Sequence, residues 1–273
     1  MKEMKPFIIV RGGGDLATGT IYMLHKAGYR VLVLESEQPS AIRRYVAVSE
    51  AVYSGTAKVE DLEAVLIRDP REMDSAWEQG RVPVMTDSRG DCIRSLKPDV
   101  VVDAIIAKVN TGTTRNMAPL TIALGPGFTA GIDVDYVIET KRGHSLGRII
   151  REGSAIPNTG IPGNIGGYTK ERVIYAPAEG ILHEVCHIGD IVEKDSEIAV
   201  IDTGTETVSV KASISGVIRG MIRDGYSVTE GFKMADIDPR PGEQKNCLTI
   251  SDKARCIAGG VLLAVSMKIP SDV

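Results

Sequence analysis

The second half of the chain contains two similar halves, and this repeat restricts the folds that it can adopt. Residues 175–202 align with residues 211–238, and each aligned pair is separated by 36 positions. Gly180 aligns with Gly216, at a point where a tight β-turn favours a residue without a side chain. Short alternating apolar stretches lie between the turns. The pattern therefore predicts a duplicated all-β unit whose halves bury their apolar faces against each other.

The first half of the chain alternates apolar runs with helical patterns. Residues 7–11 form a short apolar run, residues 15–27 carry apolar side chains at helical spacing, and residues 29–35 form a second run. This order predicts a strand, a helix and a strand. Similar Val/Ile/Leu runs continue to residue 140, as is typical of parallel strands buried on both faces. The predicted fold class is α/β, with a Rossmann-like doubly wound parallel sheet; a helix is also predicted over residues 144–153.

A change in composition divides the predicted domains. Residues 154–173 are rich in Gly, Pro and Asn, which is typical of a linker or a binding loop. We therefore predict a nucleotide- or cofactor-binding domain over residues 1–153 and a β-barrel over residues 174–240. Residues 241–273 are predicted to contain a helix that packs back on the N-terminal domain.

Composition and charge argue against several classes of partner. The net charge is −4, and Lys and Arg form no run, so nothing favours nucleic acid or an anionic membrane. The four cysteines include no CxxC pair, and His183, Cys186 and His187 would not converge on one face of a strand. We therefore expect a cytoplasmic protein without a metal site. Exposed strand edges permit a homo-oligomer without requiring one.

A glycine-rich turn follows the first predicted strand. The segment RGGGDLATG matches the GxGxx(G/A) pattern, in which glycines let backbone amides approach a phosphate at a helix N-terminus. Glu35 ends the next strand, where an acid would bind ribose hydroxyls. A turn that is only structural is the alternative. The predicted cofactor-binding residues here are Arg11, Gly12, Gly13, Gly14, Asp15, Ala17, Thr18, Gly19 and Glu35.

Other candidate residues follow later strands, where parallel sheets bind ligands. The further predicted cofactor-binding residues are Arg43, Arg44, Asp103, Lys108, Gly125 and Gly127. The catalytic residues are unknown, and Lys108 and His144 are the candidates. Each of these residues also has a purely structural interpretation, as a surface cation or a turn residue.

The repeated segment resembles lipoyl, biotinyl and barrel-sandwich-hybrid domains. The likeness rests on Gly180, on the turn Gly189–Val192 and on Glu230–Gly231. In lipoylated members a lysine stands about ten residues before the Ser-Gly-Val motif, but here Gly204–Thr205 occupies that position. We therefore expect neither lipoate nor biotin.

Most of the chain resembles YqeB-type selenium-dependent molybdenum hydroxylase system proteins. The likeness is carried by RGGGDLATG, PSAIRR, DAIIAKVN, GPGFTAG, IPNTG and KARCIAGGVLLAV. The resemblance implies an accessory protein that matures these hydroxylases, by analogy with the chaperones of xanthine dehydrogenase. It supplies no set of catalytic residues.

Three functions are compatible with the sequence. The leading hypothesis is an accessory protein that binds a nucleotide or a molybdopterin-type cofactor through the glycine turn and serves a molybdenum hydroxylase client. An NAD(P)-dependent oxidoreductase is the first alternative, although no proton-donor pair is evident. A non-catalytic protein-interaction scaffold with a structural glycine turn is the second.

Overall fold

The chain forms two compact units. A computed structural model describes residues 5–268. Unit 1 contains the residues up to Pro39, Ala47–Thr159 and the residues from Ile250. Unit 2 contains Ser40–Val46 and Gly160–Thr249.

Unit 1 is built around one large sheet with helices packed against it. Its strands are β1 (Phe7–Arg11), β2 (Arg30–Glu35), β3 (Thr56–Val59), β4 (Leu62–Leu66), β5 (Val82–Thr86), β6 (Val100–Asp103), β7 (Leu120–Leu124), β8 (Thr129–Ala130), β9 (Tyr136–Ile138), β10 (Ile149–Ile150) and β11 (Gly153–Ser154). Its α-helices are α1 (Asp15–Lys26), α2 (Ala51–Ser54), α3 (Met73–Glu78), α4 (Ile93–Leu96) and α5 (Asp252–Lys268). No helix within residues 5–268 has the length and apolar character needed to cross a membrane.

The centre of the large sheet is parallel and fully buried. The strand order is β10-β9-β7-β6-β1-β2-β5-β4-β3. Every residue of β1 is buried, and β1 pairs in parallel with β2 on one side and β6 on the other. The apolar runs of the sequence form these strands because both faces are covered.

Helices α1 and α5 pack closely through small residues. A Cβ built on Gly19 of α1 would lie 2.8 Å from the Cβ of Ala254 in α5. Arg255 also donates two hydrogen bonds to the Glu60 carboxylate, at 2.7 and 2.8 Å. The first turn of α5 is therefore fixed beside α1 by a close backbone approach, and it is joined to the turn between β3 and β4 by a charge-assisted contact.

The predicted fold class, a Rossmann-like doubly wound parallel sheet with a lipoyl-like barrel-sandwich domain, is wrong. The large sheet is mixed, because β3 and β10 pair antiparallel with their neighbours. The chain passes from β6 to β7 through a loop with a single 3-10 turn, Arg115–Met117, and only α1 and α5 among the described helices exceed six residues. Apolar runs identified the buried strands, but they do not encode how strands are connected.

The predicted helix over residues 144–153 is also wrong. Gly147 adopts a φ of +78°, and turns lead into β10 and β11. A left-handed residue interrupts a helix, so the apolar spacing in this segment serves short strands instead.

Unit 2 contains two four-stranded sheets. Its strands are β12 (Val173–Tyr175), β13 (Gly180–Glu184), β14 (Ile191–Val192), β15 (Glu197–Asp202), β16 (Thr207–Lys211), β17 (Gly216–Met221), β18 (Ser227–Val228) and β19 (Lys233–Asp238). One sheet has the order β12-β19-β17-β14 and the other β16-β15-β13-β18. Between them lies one apolar core, to which both halves of the repeat contribute.

The sequence repeat is confirmed by matching local geometry. Strands β17, β18 and β19 begin 36 positions after β13, β14 and β15. A Cβ on Gly180 would collide with the carbonyl oxygen of Asp202, and a Cβ on Gly216 would collide with that of Asp238. Each glycine is therefore required by a close backbone approach, and the requirement occurs once in each half.

A short N-terminal segment completes unit 2. The carbonyl oxygen of Ile42 accepts a hydrogen bond from the Met221 N–H at 2.8 Å, and Arg44 Nε donates to the Met221 carbonyl at 2.8 Å. Arg44 also pairs with Glu184. A Cβ on Gly220 would lie 3.0 Å from the Ile42 oxygen. Ser40–Val46 is thus an integral part of this unit, although it is distant from the rest in sequence.

Substitution of the two equivalent glycines tests the duplicated geometry. Gly180→Ala and Gly216→Ala should lower the free energy of unfolding by similar amounts, since the two contacts are alike. The loss should exceed that of Gly225→Ala by about 1–3 kcal/mol, because Gly225 has a positive φ but open space around it. Urea unfolding of the three variants measures this. Equal costs at Gly216 and Gly225 would contradict the proposed collision.

Candidate functional site

The glycine turn leaves β1 with a backbone that only glycine adopts readily. Gly12 has a φ of +94°, and its N–H donates to the Leu34 carbonyl at 2.7 Å. A Cβ on Gly12 would lie 3.0 Å from both the Ala104 oxygen and the Ile105 Cα. Gly12 is therefore needed for its conformation and for close packing against the loop after β6.

Gly14 is the residue at which the turn opens toward solvent. It caps α1 with a φ of −65°, and a Cβ placed on it would meet no atom within 4 Å. Within the described residues, no group accepts a hydrogen bond from the N–H of Gly14 or Leu16. Amides at a helix N-terminus attract anions, so the open side of Gly14 is suited to an anionic group.

Glu35 is bound to the turn instead of projecting away from it. Its Oε2 accepts a hydrogen bond from the Gly13 N–H at 2.6 Å, and its Oε1 accepts one from the Ser36 N–H at 2.9 Å. Burial raises the pKa of Glu35, although both amide hydrogen bonds oppose the shift. One amide of the turn is thus already occupied by a protein carboxylate.

Arg11 forms a buried network beneath the turn. Its side chain is 1% exposed and donates hydrogen bonds to Thr113 Oγ1 and to the Ser88 carbonyl. Thr113 in turn donates to Asp103 Oδ2 at 2.6 Å, and Arg11 Nη1 lies 3.6 Å from the same oxygen. Burial raises the pKa of Asp103, while Thr113 and the Arg11 charge oppose this. Arg11 and Asp103 therefore hold the surrounding loops together.

Two further loops adjoin the turn at the carboxyl ends of the strands. Lys108, in the loop after β6, is exposed and has a φ of +66°. A Cβ on Gly127 would lie 2.8 Å from the Lys108 carbonyl carbon. Gly125 packs against Thr140. The structure thus brings Lys108 and Gly127 together. Gly12 contacts the start of the loop after β6, which also contains Lys108.

The remaining residues of the motif pack the helix. Thr18 Oγ1 donates to the Gly14 carbonyl at 2.9 Å and accepts a hydrogen bond from the Val48 N–H at 3.0 Å. Ala17 is buried, and Gly19 faces Ala254 of α5. These three residues stabilise the turn and the position of α1. The open space of the motif lies at Gly14, before them in the chain.

Arg43 and Arg44 lie in unit 2. Arg43 Nη2 donates to the Asn246 carbonyl at 3.1 Å, and Arg44 pairs with Glu184. His144 is exposed in a turn of unit 1, and Arg148, also exposed, follows that turn, so the expected helical pair is absent. The contacts of Arg43 and Arg44 give these two residues a role within unit 2.

Lys253 is a neighbour of the turn that sequence patterns missed. It lies in the first turn of α5, next to Ala254, and is partly buried. Burial lowers the pKa of Lys253, and the negative charge of Asp15, at the start of α1, opposes this shift. Since the neighbouring Ala254 packs against Gly19, Lys253 lies beside α1. Its only sequence signal is the KARC segment, 238 positions after Asp15.

Ser49 is a second missed neighbour. Its N–H donates to the Gly13 carbonyl at 3.0 Å, and its side chain is fully buried. Within the described residues its hydroxyl has no hydrogen-bond partner. The glycine turn is therefore flanked by an unsatisfied hydroxyl as well as by a lysine.

The histidines of unit 2 do not form a metal centre. His183 lies 3.6 Å from Asp224, and His187 lies 3.1 Å from Glu184. Across residues 5–268 no group of three or more His, Cys, Asp or Glu side chains has a metal-binding arrangement. The two histidines form separate ion-pair contacts.

These features define the class of protein as a two-unit α/β protein with a strand–glycine turn–helix site. No family model matches the chain. It is 48% identical over 260 residues to uncharacterized protein YqeB of Escherichia coli K12, covering 95% of this chain and 47% of that protein. The chain therefore belongs to the YqeB family, and it spans about half the length of this curated relative.

Similar solved structures are of the succinylglutamate desuccinylase/aspartoacylase type. An aspartoacylase family protein from Mesorhizobium loti is 10% identical, with 86% of each chain covered and a TM-score of 0.29. A succinylglutamate desuccinylase/aspartoacylase from Rhodobacter sphaeroides is 14% identical, with 86% of each chain covered and a TM-score of 0.28. None of these matches supports a Rossmann or lipoyl-like fold. Their TM-scores are too low to support a conclusion about the site.

The raised pKa of Glu35 predicts a pH-dependent stability. Because its folded pKa lies above that of an unfolded glutamate, its contribution is complete below about pH 4.3 and is lost as the pH rises through the folded pKa. Glu35→Gln should therefore gain stability relative to the wild type as the pH rises above that value. Urea unfolding across this range measures the difference, with Glu37→Gln, at an exposed carboxylate, as the control. A pH-independent difference for Glu35→Gln would contradict the assignment.

Proposed function

We propose that this protein is an accessory protein for the maturation of selenium-dependent molybdenum hydroxylases, and that its glycine turn binds a nucleotide or the nucleotide part of a molybdopterin-type cofactor. The observation that carries the ligand proposal is the open space at Gly14, at the N-terminus of a 12-residue helix. The resemblance of the glycine, PSAIRR and KARC segments to the hydroxylase system proteins supports the cellular role.

The charges around the turn determine where the phosphate of a ligand would bind. Asp15 and Glu35 add negative charge, so the amides alone would bind a phosphate weakly. Lys253 supplies a cation whose charge interacts with that of Asp15. We infer that a phosphate lies between the Gly14 amide and the Lys253 ammonium, where dipole and charge both favour it.

The adjoining loop offers apolar surface for a planar ring. Ile105 is 36% exposed and Val109 is 62% exposed, on either side of Lys108. Exposed aliphatic side chains beside an anion site are suited to the face of a base or a pterin. This arrangement supports a ligand that combines a phosphate with a ring system.

Filling the open space at Gly14 tests the ligand site. Gly14→Val should raise the dissociation constant of the bound nucleotide at least about tenfold, because the side chain occupies the space that a phosphate needs. The melting temperature should change little, since Gly14 has an ordinary φ and no close neighbour. Calorimetric titrations with NAD(P), AMP, CTP and molybdopterin dinucleotides measure the affinity. Gly259→Ala, in an equally open position of α5, is the control. If none of these ligands binds the wild type, the nucleotide proposal fails.

Removal of the Lys253 charge tests the electrostatic part of the proposal. Lys253→Met should weaken nucleotide binding about tenfold and leave the free energy of unfolding unchanged or higher, because a partly buried ammonium is costly without its ligand. The same titration and urea unfolding measure both effects. Lys268→Met, at the other end of α5, should leave the affinity unaltered. Unchanged binding by Lys253→Met would exclude this lysine from the site.

Native mass spectrometry of the freshly purified chain tests the accessory role. Retention of a nucleotide-pterin cofactor, or a stable complex with a molybdenum hydroxylase, is the expected result. Retention of reduced NAD(P) together with hydride transfer would instead identify an oxidoreductase.

A further inference from the structure

The two halves of unit 2 provide an internal comparison. Both halves build the same strand arrangement, with each position of the second half 36 residues after its counterpart. Two pairs of counterparts differ in chemistry, His183 and Arg219, and Val200 and Asp236. A third pair, Asp202 and Asp238, differs in burial.

The second half has buried charges where the first half does not. The side chain of Asp238 is 0% exposed, whereas Asp202 is exposed. The side chain of Arg219 is 15% exposed, whereas that of His183 is 50% exposed. Asp236 is also buried, and Arg172 covers it with a side chain that is 7% exposed. The fold of the repeat therefore does not itself require these charges.

Buried charges carry an energetic cost that the first half avoids at these three positions. Desolvation of each buried ion costs several kcal/mol, which an ion pair offsets only with good geometry and full hydrogen bonding. Since the first half forms the equivalent β13–β15 ladder with His183, Val200 and an exposed Asp202 at these positions, strand pairing alone does not account for the buried charges of the second half.

The hydrogen bonding of the two arginines is incomplete. Arg172 Nη1 donates to Asp236 Oδ1 at 3.0 Å, but Arg172 Nε is buried and has no partner among the described residues. Arg219 lies 3.8 Å from Asp238, beyond hydrogen-bond distance, and its Nε is likewise buried without a partner there. Guanidinium donors that are buried and unsatisfied point to an acceptor that the chain itself does not supply.

The carboxylate nearest to Arg219 is already occupied. Arg240 Nε donates to Asp238 Oδ1 at 2.9 Å, and Arg240 Nη2 donates to Asp238 Oδ2 at 2.7 Å. This fork uses both oxygens of Asp238. Arg219 therefore lies within ion-pair distance of Asp238, but no hydrogen bond joins the two side chains.

A β-bulge directs Arg219 to this cluster. Ile218 pairs with Ile237 and Gly220 pairs with Asp236, so Arg219 is the extra residue between them. A bulge changes the direction of its side chain and is common next to functional sites. Arg172, at the end of the 3-10 turn Lys170–Arg172, pairs with Asp236, and the charges of Arg172 and Arg219 both lower the pKa of Asp236 against the effect of burial.

We propose that Arg172 and Arg219 form a binding site for a phosphate-like tetrahedral oxyanion in the second half of unit 2. The planar forks of two guanidinium groups match the oxygens of phosphate or sulfate. Asp236 orients Arg172, and the Arg240–Asp238 pair bounds the site. The oxyanion is either a free ion or the phosphate of a larger molecule. This site is separate from the glycine turn and does not depend on the function proposed above.

Anion titration of the full chain tests this site. Inorganic phosphate and sulfate are titrated at constant ionic strength, with chloride as the reference ion, and binding is followed by calorimetry and by the melting temperature. In the wild type, phosphate should bind saturably and raise the melting temperature. Arg219→Met should raise the dissociation constant for phosphate at least about tenfold. Arg219→Lys should give an intermediate affinity, because it keeps the charge and loses the fork.

His183→Met is the matched control, since it changes the equivalent position of the first half. It should leave phosphate affinity as in the wild type. A parallel titration with AMP separates the two sources of the anion: tighter, Arg219-dependent binding of AMP identifies a larger ligand, and equal binding identifies a free oxyanion. Because AMP also probes the glycine turn, this arm is repeated in Gly14→Val, which should retain the Arg219-dependent part.

A measurement on the wild type keeps the test decisive if Arg219→Met does not fold. The Nε–H resonances of the buried arginines, followed by NMR during the phosphate titration, should shift for Arg172 and Arg219. The proposal is overturned if phosphate acts no differently from chloride, if these resonances stay in place, or if Arg219→Met and His183→Met bind phosphate equally.

Discussion

The buried guanidinium of Arg11 is the interaction on which the candidate site of unit 1 depends. Arg11 ends β1, and its contacts with Ser88, Thr113 and Asp103 join the segments that follow β5 and β6. Loss of one partner from a buried ion pair leaves the other charge uncompensated, which costs about 3–5 kcal/mol. The loops that surround the glycine turn are thus held by one charge network at the carboxyl ends of the strands. The sequence pattern predicts Arg11 as a cofactor-binding residue, and in the fold the same cation also orders the chain.

The backbone N–H groups of the glycine turn are therefore only partly paired within the protein. Glu35 occupies the amide of Gly13, and close packing fixes Gly12 and Gly19, so Gly14 is the position that remains open. Lys253 then becomes informative, because its charge interacts with that of Asp15 at the start of α1. A ligand must accept hydrogen bonds from the helix N-terminus and carry enough negative charge to attract this ammonium.

Unit 2 illustrates how a duplicated fold can diverge in chemistry while it keeps its backbone. Gly180 and Gly216 meet the same constraint in both halves, because the strand crossing leaves no room for a side chain. Arg219 and Asp238 occupy positions whose counterparts are exposed. The shared constraint belongs to the fold, and we assign the difference between the halves to the proposed oxyanion site.

The sequence alone determined the local elements: the strand–turn–helix–strand order of residues 7–35, the buried strands up to Ile138, and the repeat in unit 2. These follow from hydrophobic periodicity and glycine placement, which act over short distances. The tertiary structure decided the mixed sheet, the inclusion of Ser40–Val46 in unit 2, the inward orientation of Glu35, and the placement of Lys253 beside α1. Those outcomes depend on strand pairing and on contacts between residues far apart in sequence, such as Glu60 and Arg255, which are 195 positions apart, and periodicity does not encode them.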